Sequence, residues 1–266
     1  MKLQIAVTTM HQDGLELYKK MNLQTDAVIA NQTDRNEIIE EIIDNHNVKI
    51  VSTTTRGVSR NRNIALAHLP QNTDIAIFAD DDLIFNDGYA DAVAREFDAH
   101  PEAEAIKFNL HDLSETRKIS MRRIECFEKA TRRNMSSSGV WGVAFKTKAL
   151  IKFNLKFDER FGPGAEHTHG EDTIFLMNMI DKGVAFYRSP VDIAGINQTE
   201  SSWFTGHNEM FFETSGMVID DIYPVLSRLI VIRRAYNFSK RYACDMRFHD
   251  ILKSYYRGID QNKKQL

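Results

Sequence analysis

Three things are scarce in this sequence, and each scarcity removes a class of protein. Cysteine occurs twice in 266 residues, as Cys126 and Cys244. The two lie far apart and in no metal-ligand spacing, so neither a disulfide framework nor a zinc site is expected. That usage fits a reducing, cytoplasmic compartment. Long apolar runs are also missing. No stretch reaches the roughly 18 residues of a spanning helix, and the opening MKLQIAVTTM is too short for a signal-peptide core and precedes no small-residue cleavage site. Finally, no sign of charge dominates. Lys and Arg number 34 against 37 Asp and Glu, a net charge of −3, which gives no electrostatic ground for nucleic acid as a partner. Repeats, low-complexity tracts and clear linkers are absent too.

What is present is an alternation of short apolar runs with helix-like segments. Leu3–Thr9, Ala27–Ala30, Val48–Val51 and Ile75–Ala79 read as strands. Asp13–Met21 and Val58–His68 read as helices, the second ending before Pro70. Asn36–Asn45 carries Ile38, Ile39, Ile42 and Ile43 at helical spacing and is also predicted helical. Strands separated by helices of this length imply parallel pairing through right-handed crossovers, hence an α/β sandwich. Further on, Ala105–Leu110, Val140–Lys146 and Val184–Arg188 are strand-like, and Asp172–Lys182 is a helix. From about Asn208 the chain is mainly helical. The expected division is a catalytic domain over residues 1–207 and a helical C-terminal extension over 208–266.

The chemistry concentrates in two acidic clusters. Asp80-Asp81-Asp82 directly follows the apolar Ile75–Ala79. A sheet interior cannot hold three unpaired carboxylates without a large desolvation cost. They are therefore expected at the strand's carboxyl end, facing a crevice where a divalent cation can neutralise them. The competing reading is a solvated acidic turn capping a helix that starts near Asn86. Gly170-Glu171-Asp172 opens the later helix. Carboxylates favour helix N-termini in any case, but the preceding Gly162-Pro163-Gly164 argues for a shaped site. Arg56, Arg60 and Arg62 stand at another helix start, where backbone amides attract anions; a solvated basic face is the alternative.

In their order, these motifs resemble family-2 glycosyltransferases with the GT-A fold, over roughly Leu3 to Trp203. Asn31-Gln32-Thr33-Asp34 is similar to the family's second-strand turn. Gly57-Val58-Ser59-Arg60-Asn61-Arg62-Asn63 resembles its G-x-S-x-x-R-N segment, and Asp80-Asp81-Asp82 its D-x-D motif. Gly139–Lys146 resembles the Gly-rich strand that ends in a basic residue. Phe157-Asp158-Glu159-Arg160-Phe161-Gly162, with Gly170-Glu171-Asp172-Thr173, resembles the block before the catalytic helix. There are two departures. The first strand ends Thr8-Thr9-Met10-His11 where many members carry a proline and an asparagine. Asn197 stands near where many members supply a metal-binding histidine, and His207 is the available substitute.

The resemblance implies an α/β, GT-A type fold with a mostly parallel central sheet and flanking helices. The nucleotide-binding half would span about 1–110 and the acceptor half about 111–207. It implies a metal-dependent, inverting transferase moving a sugar from a nucleotide-diphosphate sugar to a hydroxyl of a glycan or lipid-linked acceptor, in polysaccharide or glycoconjugate biosynthesis. Asp172, with Glu171 beside it, falls where the catalytic base lies. Thr8, Asp34, Arg56, Arg62, Asn63, Asp80 and Asp81 would meet the donor nucleotide. Asp82, Asp80 and His207 would hold Mn²⁺ or Mg²⁺, and Trp203 and His169 would face the acceptor. Several plainer readings compete: Asp34 as a helix N-cap, the loop histidines His167 and His169 as solvent-exposed, and Trp203 in ordinary packing.

Tyr223–Tyr236 mixes Val225, Leu226, Leu229, Ile230, Val231 and Ile232 with Arg228, Arg233 and Arg234. Such a helix either lies on an anionic membrane, on the inner face in this case, or packs on the catalytic domain. The seven basic residues of Arg117–Arg133 either line the acceptor entrance or pair with Glu115, Glu125 and Glu128. Two other functions fit parts of the pattern. One is a Mg-dependent phosphatase-type hydrolase using Asp80-x-Asp82, although its nucleophile usually lies on the first strand. The other is a non-catalytic nucleotide-sugar binding module. A nucleotidyltransferase is disfavoured because no Gly-rich activation loop follows the first strand.

Overall fold

The computed structural model describes residues 1–113, 123–136, 138–197, 206–241 and 246–265. The first strand, β1 (Leu3–Met10), is buried along nearly its whole length and on both faces, as a central parallel strand must be. After α1 (Glu16–Lys20), β2 (Asp26–Gln32) pairs parallel to it. Next come β3 (Glu37–Ile43) and β4 (His46–Thr53), then α2 (Val58–Ala67) and β5 (Ile75–Asp80). A short β6 (Leu83–Phe85), α3 (Tyr89–Ala99) and β7 (Ala105–Asp112) follow. Then come β8 (Glu128–Lys129), α4 (Arg132–Met135), β9 (Val143–Lys146), α5 (Thr147–Lys152), α6 (Glu171–Asp181) and β10 (Phe186–Ile196). Three helices, α7 (Glu209–Ile222), α8 (Ser227–Arg241) and α9 (Phe248–Gln265), complete the chain.

The described strands form one sheet in the order β3-β4-β2-β1-β5-β9-β7-β10-β6, with β8 on β10. The β4-β2-β1-β5 block is parallel, as is β7-β10; β3, β6, β8 and β9 join antiparallel. Helices cover both faces, each over its own apolar cluster. The carboxyl ends of β1 and β5 lie side by side, with Thr8 opposite Asp80.

One predicted element is wrong. The helix expected over Asn36–Asn45 is instead the edge strand β3, paired antiparallel with β4 from Glu37↔Ser52 to Ile43↔His46. Its turn is Asp44-Asn45, both with positive φ (49° and 66°), the two-residue hairpin geometry that Asn and Asp tolerate. β-branched isoleucines suit a strand. Ile39 and Ile43 pack on the core, while Ile38 and Ile42 stay exposed. The Asn36 helix that Asp34 would have capped therefore does not exist.

Beneath the cleft, an aromatic group ties three elements together. Phe157 stacks on Phe175 of α6 at 4.1 Å, and Phe78 of β5 meets both edge-on at 5.3 and 5.5 Å. This fixes the N-terminus of α6 beside the end of β5. The C-terminal helices share a cluster built on Phe212, Ile219, Val231, Ile251, Tyr255 and Ile259. α7 also seats Met217 and Val218 against Phe161. α7 and α9 cross at reciprocal glycines. A Cβ on Gly216 would lie 2.3 Å from the Tyr255 carbonyl oxygen, and one on Gly258 would lie 1.9 Å from that of Glu213.

Gly258→Ala is therefore expected to force backbone apart and cost about 1–3 kcal/mol, lowering Tm by roughly 2–10 °C. Gly14→Ala, whose Cβ meets nothing within 4 Å, serves as the control and should leave Tm near wild type in the same scan.

Candidate active site

A cleft of about 910 Å³ opens at the carboxyl ends of β1 and β5, against the N-terminus of α6. Its geometry begins with α2. Gly57, at φ +111°, turns the chain into this helix and donates its N–H to Gln32 Oε1 at 2.8 Å. The Val58 N–H donates to Pro163 O, and Asn61 Nδ2 donates to the carbonyls of Thr9 and Ala30 at 3.0 and 2.9 Å. These bonds staple the first turn of α2 to the ends of β1 and β2. Arg62, in the next position, is thereby driven into the protein and is only 4% exposed.

Arg62 is the electrostatic centre of the site. Its Nη1 donates to Asp172 Oδ1 at 2.5 Å and lies 3.5 Å from Glu171 Oε1. Its Nη2 donates to both oxygens of Asp80, at 3.1 and 3.2 Å. The guanidinium also sits over the Phe157 ring at 5.2 Å. Burial alone would lower its pKa, but the charges of Asp172, Asp80 and Glu171 outweigh that and hold it above the ordinary arginine value.

The carboxylates around it are held individually. The Thr8 hydroxyl donates to Asp80 Oδ1 at 2.8 Å and the Thr9 hydroxyl to Asp81 Oδ2 at 2.5 Å. Burial pushes Asp81 above the usual carboxylate range; the Thr9 bond opposes this and Asp80 adds to it. Burial, reinforced by the adjacent Asp172 charge and opposed by Arg62, pushes Glu171 up to about 7. Asp172 is gripped from both sides, by Arg62 at Oδ1 and by the Val140 backbone N–H at Oδ2, 3.2 Å away.

That Val140 amide is itself positioned. Lys107 of β7 is buried, and its ammonium donates to the carbonyls of Gly139, at 3.2 Å, and of Trp141. It lies 3.8 Å from the centre of the Trp141 ring system, whose side chain lines the cleft. Burial lowers the Lys107 pKa to about 7, with Asp172 opposing and Arg188 adding. On the far wall His169 is in hydrogen-bond contact with Ser215 at 2.9 Å and stacks on Phe211 at 4.7 Å. Burial, and secondarily His167, lowers it to about 4, so its ring is neutral near pH 7.

Of the residues expected from the sequence, Thr8, Arg62, Asp80, Asp81, Asp82, His169, Glu171 and Asp172 line this one cleft. Four others do not line it. Asp34 is exposed after β2, with Arg35 at 3.8 Å. Arg56 donates to the carbonyls of Thr33, Thr54 and Thr55. Asn63 donates to Phe157 O and accepts from Phe157 N–H, bracing the segment that carries the stacked ring. His207 packs among the rings of Phe211, Phe212 and Phe238. Trp203 lies outside the described residues, as do Arg117, Lys118 and Arg122. Within the same basic stretch Arg123 pairs with Asp192 and Arg132 with Asp181.

Among the described residues, no group of three or more His, Cys, Asp or Glu side chains is arranged to hold a metal. The donor set at the end of β5 still suits a hard cation. Mg²⁺ commonly takes one or two carboxylates and completes its shell with phosphate oxygens and water. Asp80 and Asp82 fit that shared mode rather than an all-protein cage. Asn197, in the position where a histidine was looked for, donates its backbone N–H to the Asp82 carbonyl at 3.0 Å.

Sequence reasoning missed Gln32, Asn61, Lys107 and Trp141, and with them the wall that α7 supplies through Phe211, Ser215 and Val218. Lys107 had a visible signal, a lone lysine inside Ala105-Ile106-Lys107-Phe108. The α7 residues had none, because their contact with the cleft is purely tertiary.

The comparisons agree with this architecture. The model for glycosyl transferase family 2 matches residues 27–157, a span holding β2 through β5 and the acidic cluster. No curated protein matches the sequence. Among solved structures, S. aureus TarS 1-349 in complex with UDP-GlcNAc superimposes with a TM-score of 0.68 at 14% identity, covering 98% of this chain and 84% of that one. The same fragment with UDP gives 0.65 at 14% identity, covering 98% and 83%. Longer S. aureus TarS gives 0.64 at 14% identity, covering 98% of this chain and 50% of its own. At such identity the structural likeness is one of fold. With the family match over residues 27–157, it supports a family-2-like glycosyltransferase with the GT-A fold.

Lys107 gives a pH test of the site's electrostatics. Its folded pKa of about 7 lies below the ordinary 10.5, so between those values the unfolded chain binds more protons. Stability must then rise with pH across that window, and below it the full burial cost remains. Lys107→Met removes the titration. In urea melts, the stability of wild type relative to Lys107→Met is expected to climb from about pH 7 to 10. A flat difference would mean that the ammonium stays charged in place.

Proposed function

We propose that this cleft transfers a sugar from a nucleotide-diphosphate donor to an acceptor hydroxyl, with inversion and with a divalent metal. The observation that carries the reading is the placement of Asp172. Arg62 and the Val140 amide orient it, and it shares one cleft with Asp80-Asp81-Asp82. The donor nucleotide would lie over the ends of β1 and β5, near Thr8 and Asp81. Asp80 and Asp82 would hold Mn²⁺ or Mg²⁺ together with the diphosphate, and the ion when bound supplies positive charge against the leaving group.

Asp172 accepts the proton of the acceptor hydroxyl as that oxygen bonds to the anomeric carbon and the bond from that carbon to the diphosphate breaks. A carboxylate held at both oxygens by Arg62 and Val140 is fixed in direction, which general-base geometry requires. The acceptor is a glycan or lipid-linked glycan hydroxyl entering past His169 and α7, and polysaccharide or glycoconjugate assembly is the setting. A phosphatase-type reading is disfavoured, because that chemistry usually draws its nucleophile from the first strand, whereas Asp80 ends β5.

Two variants test the assignment. Asp172→Asn should cut turnover by roughly 10²–10⁴ while leaving donor binding near wild type; retained turnover would overturn the base. Asp82→Ala should abolish the metal-dependent part of thermal stabilisation by UDP-, GDP-, dTDP- or CMP-sugars, measured with Mn²⁺ and again with EDTA. Stabilisation by a nucleotide sugar without any turnover in wild type would favour a binding module instead.

A further inference from the structure

The exposed face of α8 is the least explained surface of the molecule. Val225, Leu226, Leu229, Ile232 and Tyr236 are all exposed, Val225 to 91% and Leu229 to 67%. Leu229, Ile232 and Tyr236 follow one another at steps of three and four, which places them along one side of the helix, and Val225 is exposed in the turn just before it. The opposite side is spent on the core, where Val231 and Ala235 are buried against α9 and α7. A soluble surface seldom strings that many large apolar groups together without a partner.

Charge identifies the partner. α8 carries Arg228, Arg233, Arg234, Lys240 and Arg241 and not one acidic residue, in a chain whose net charge is −3. From the element packed beside it, Asp260 of α9 pairs with Arg228 at 2.5 Å. Lys240 rests on the Tyr236 ring at 4.4 Å, so its charge stays at the edge of the apolar stripe. A groove of about 570 Å³ runs beside the stripe between Leu226, Leu229, Ile230, Arg233, Arg234 and Asn237. Arg234 lines both this groove and the catalytic cleft. A second copy of this chain would bring two all-basic helices face to face, which like-charge repulsion opposes. An apolar stripe with cations along its flanks matches an interfacial helix on an anionic lipid surface.

We propose that α8 docks the protein on anionic membranes, Val225, Leu229, Ile232 and Tyr236 entering the headgroup boundary and Arg233 and Lys240 meeting lipid phosphates. Arg234 then brings the cleft to the membrane plane. The inference goes beyond the transferase reading and does not depend on it.

The test is sedimentation of the full chain with phosphatidylcholine vesicles, with and without phosphatidylglycerol, at low and high salt. Binding is expected only to the anionic vesicles and should weaken with salt. Arg233→Glu with Lys240→Glu should lower partitioning more than roughly tenfold. Leu229→Ser with Ile232→Ser should also lower it, and both pairs should keep the wild-type Tm because the side chains are exposed. No binding, equal binding to neutral vesicles, or binding unchanged in both double variants would overturn the proposal. So would a wild-type dimer in gel filtration that Leu229→Ser with Ile232→Ser converts to monomer, since the face would then belong to a second copy.

Discussion

A single buried guanidinium organises the catalytic end of this protein. Arginine cannot escape burial by losing its proton, so an enclosed Arg62 has to be met by negative charge. It is met by residues from two elements that are distant in sequence, Asp80 on β5 and Glu171 and Asp172 on α6, while the arginine itself comes from α2. The ion pairs therefore act as a joint between three pieces of the chain. Breaking it from the arginine side would leave three carboxylates facing one another, the arrangement buried-charge energetics penalises most. Burial raises Glu171 most, and the surplus of acid over base adds to it. With one cation for three carboxylates, the least solvated of them is pushed toward its neutral form.

Orientation of Asp172 depends on a second, independent chain of contacts. Lys107 holds the carbonyls on either side of Val140, and the Val140 amide holds Asp172. The lysine touches neither end of the proposed chemistry, yet it sets the turn whose N–H reaches the carboxylate. It also lies against Trp141, so one buried lysine sets both the carboxylate's direction and the indole that lines the cleft. Burying a lysine without a carboxylate in contact is costly. Two carbonyls and an aromatic face are what this fold offers in exchange.

How much of this was legible in the sequence follows from the range of each interaction. Asp80-Asp81-Asp82 could be placed because its cause is local: an apolar run must be a buried strand, and its charged end must emerge at a crevice. Glu171 and Asp172 were readable for the same reason, as the opening of a periodic helix after a glycine-rich loop. Arg62 was noticed but expected to face the diphosphate, since nothing local reveals a partner 110 positions away. β3 was misread because isoleucines at 38, 39, 42 and 43 satisfy a helical period, while the Asp44-Asn45 turn that decides for a hairpin sits at the end of the predicted helix, where it reads equally as a helix terminus. Asn63, from the same motif as Arg62, turned out to brace Phe157 rather than line the cleft. Motif membership carried its position in the fold but not its direction.

The C-terminal helices show why that distinction matters for function. Their amphipathic pattern is equally consistent with packing and with an outward role, and the structure divides it between the two. α7 is consumed by packing: its apolar side closes the cleft, and its Gly216 lets α9 approach to within backbone contact. α8 buries only a narrow strip and leaves its larger apolar groups outside, beside its cations. α7 packs on the Phe161 segment and on Ile174 of α6, so a continuous helical layer runs from α8 to the helix that carries Asp172. The helical layer thus joins the outward face of the protein to the N-terminal turns of α6 through packed apolar side chains.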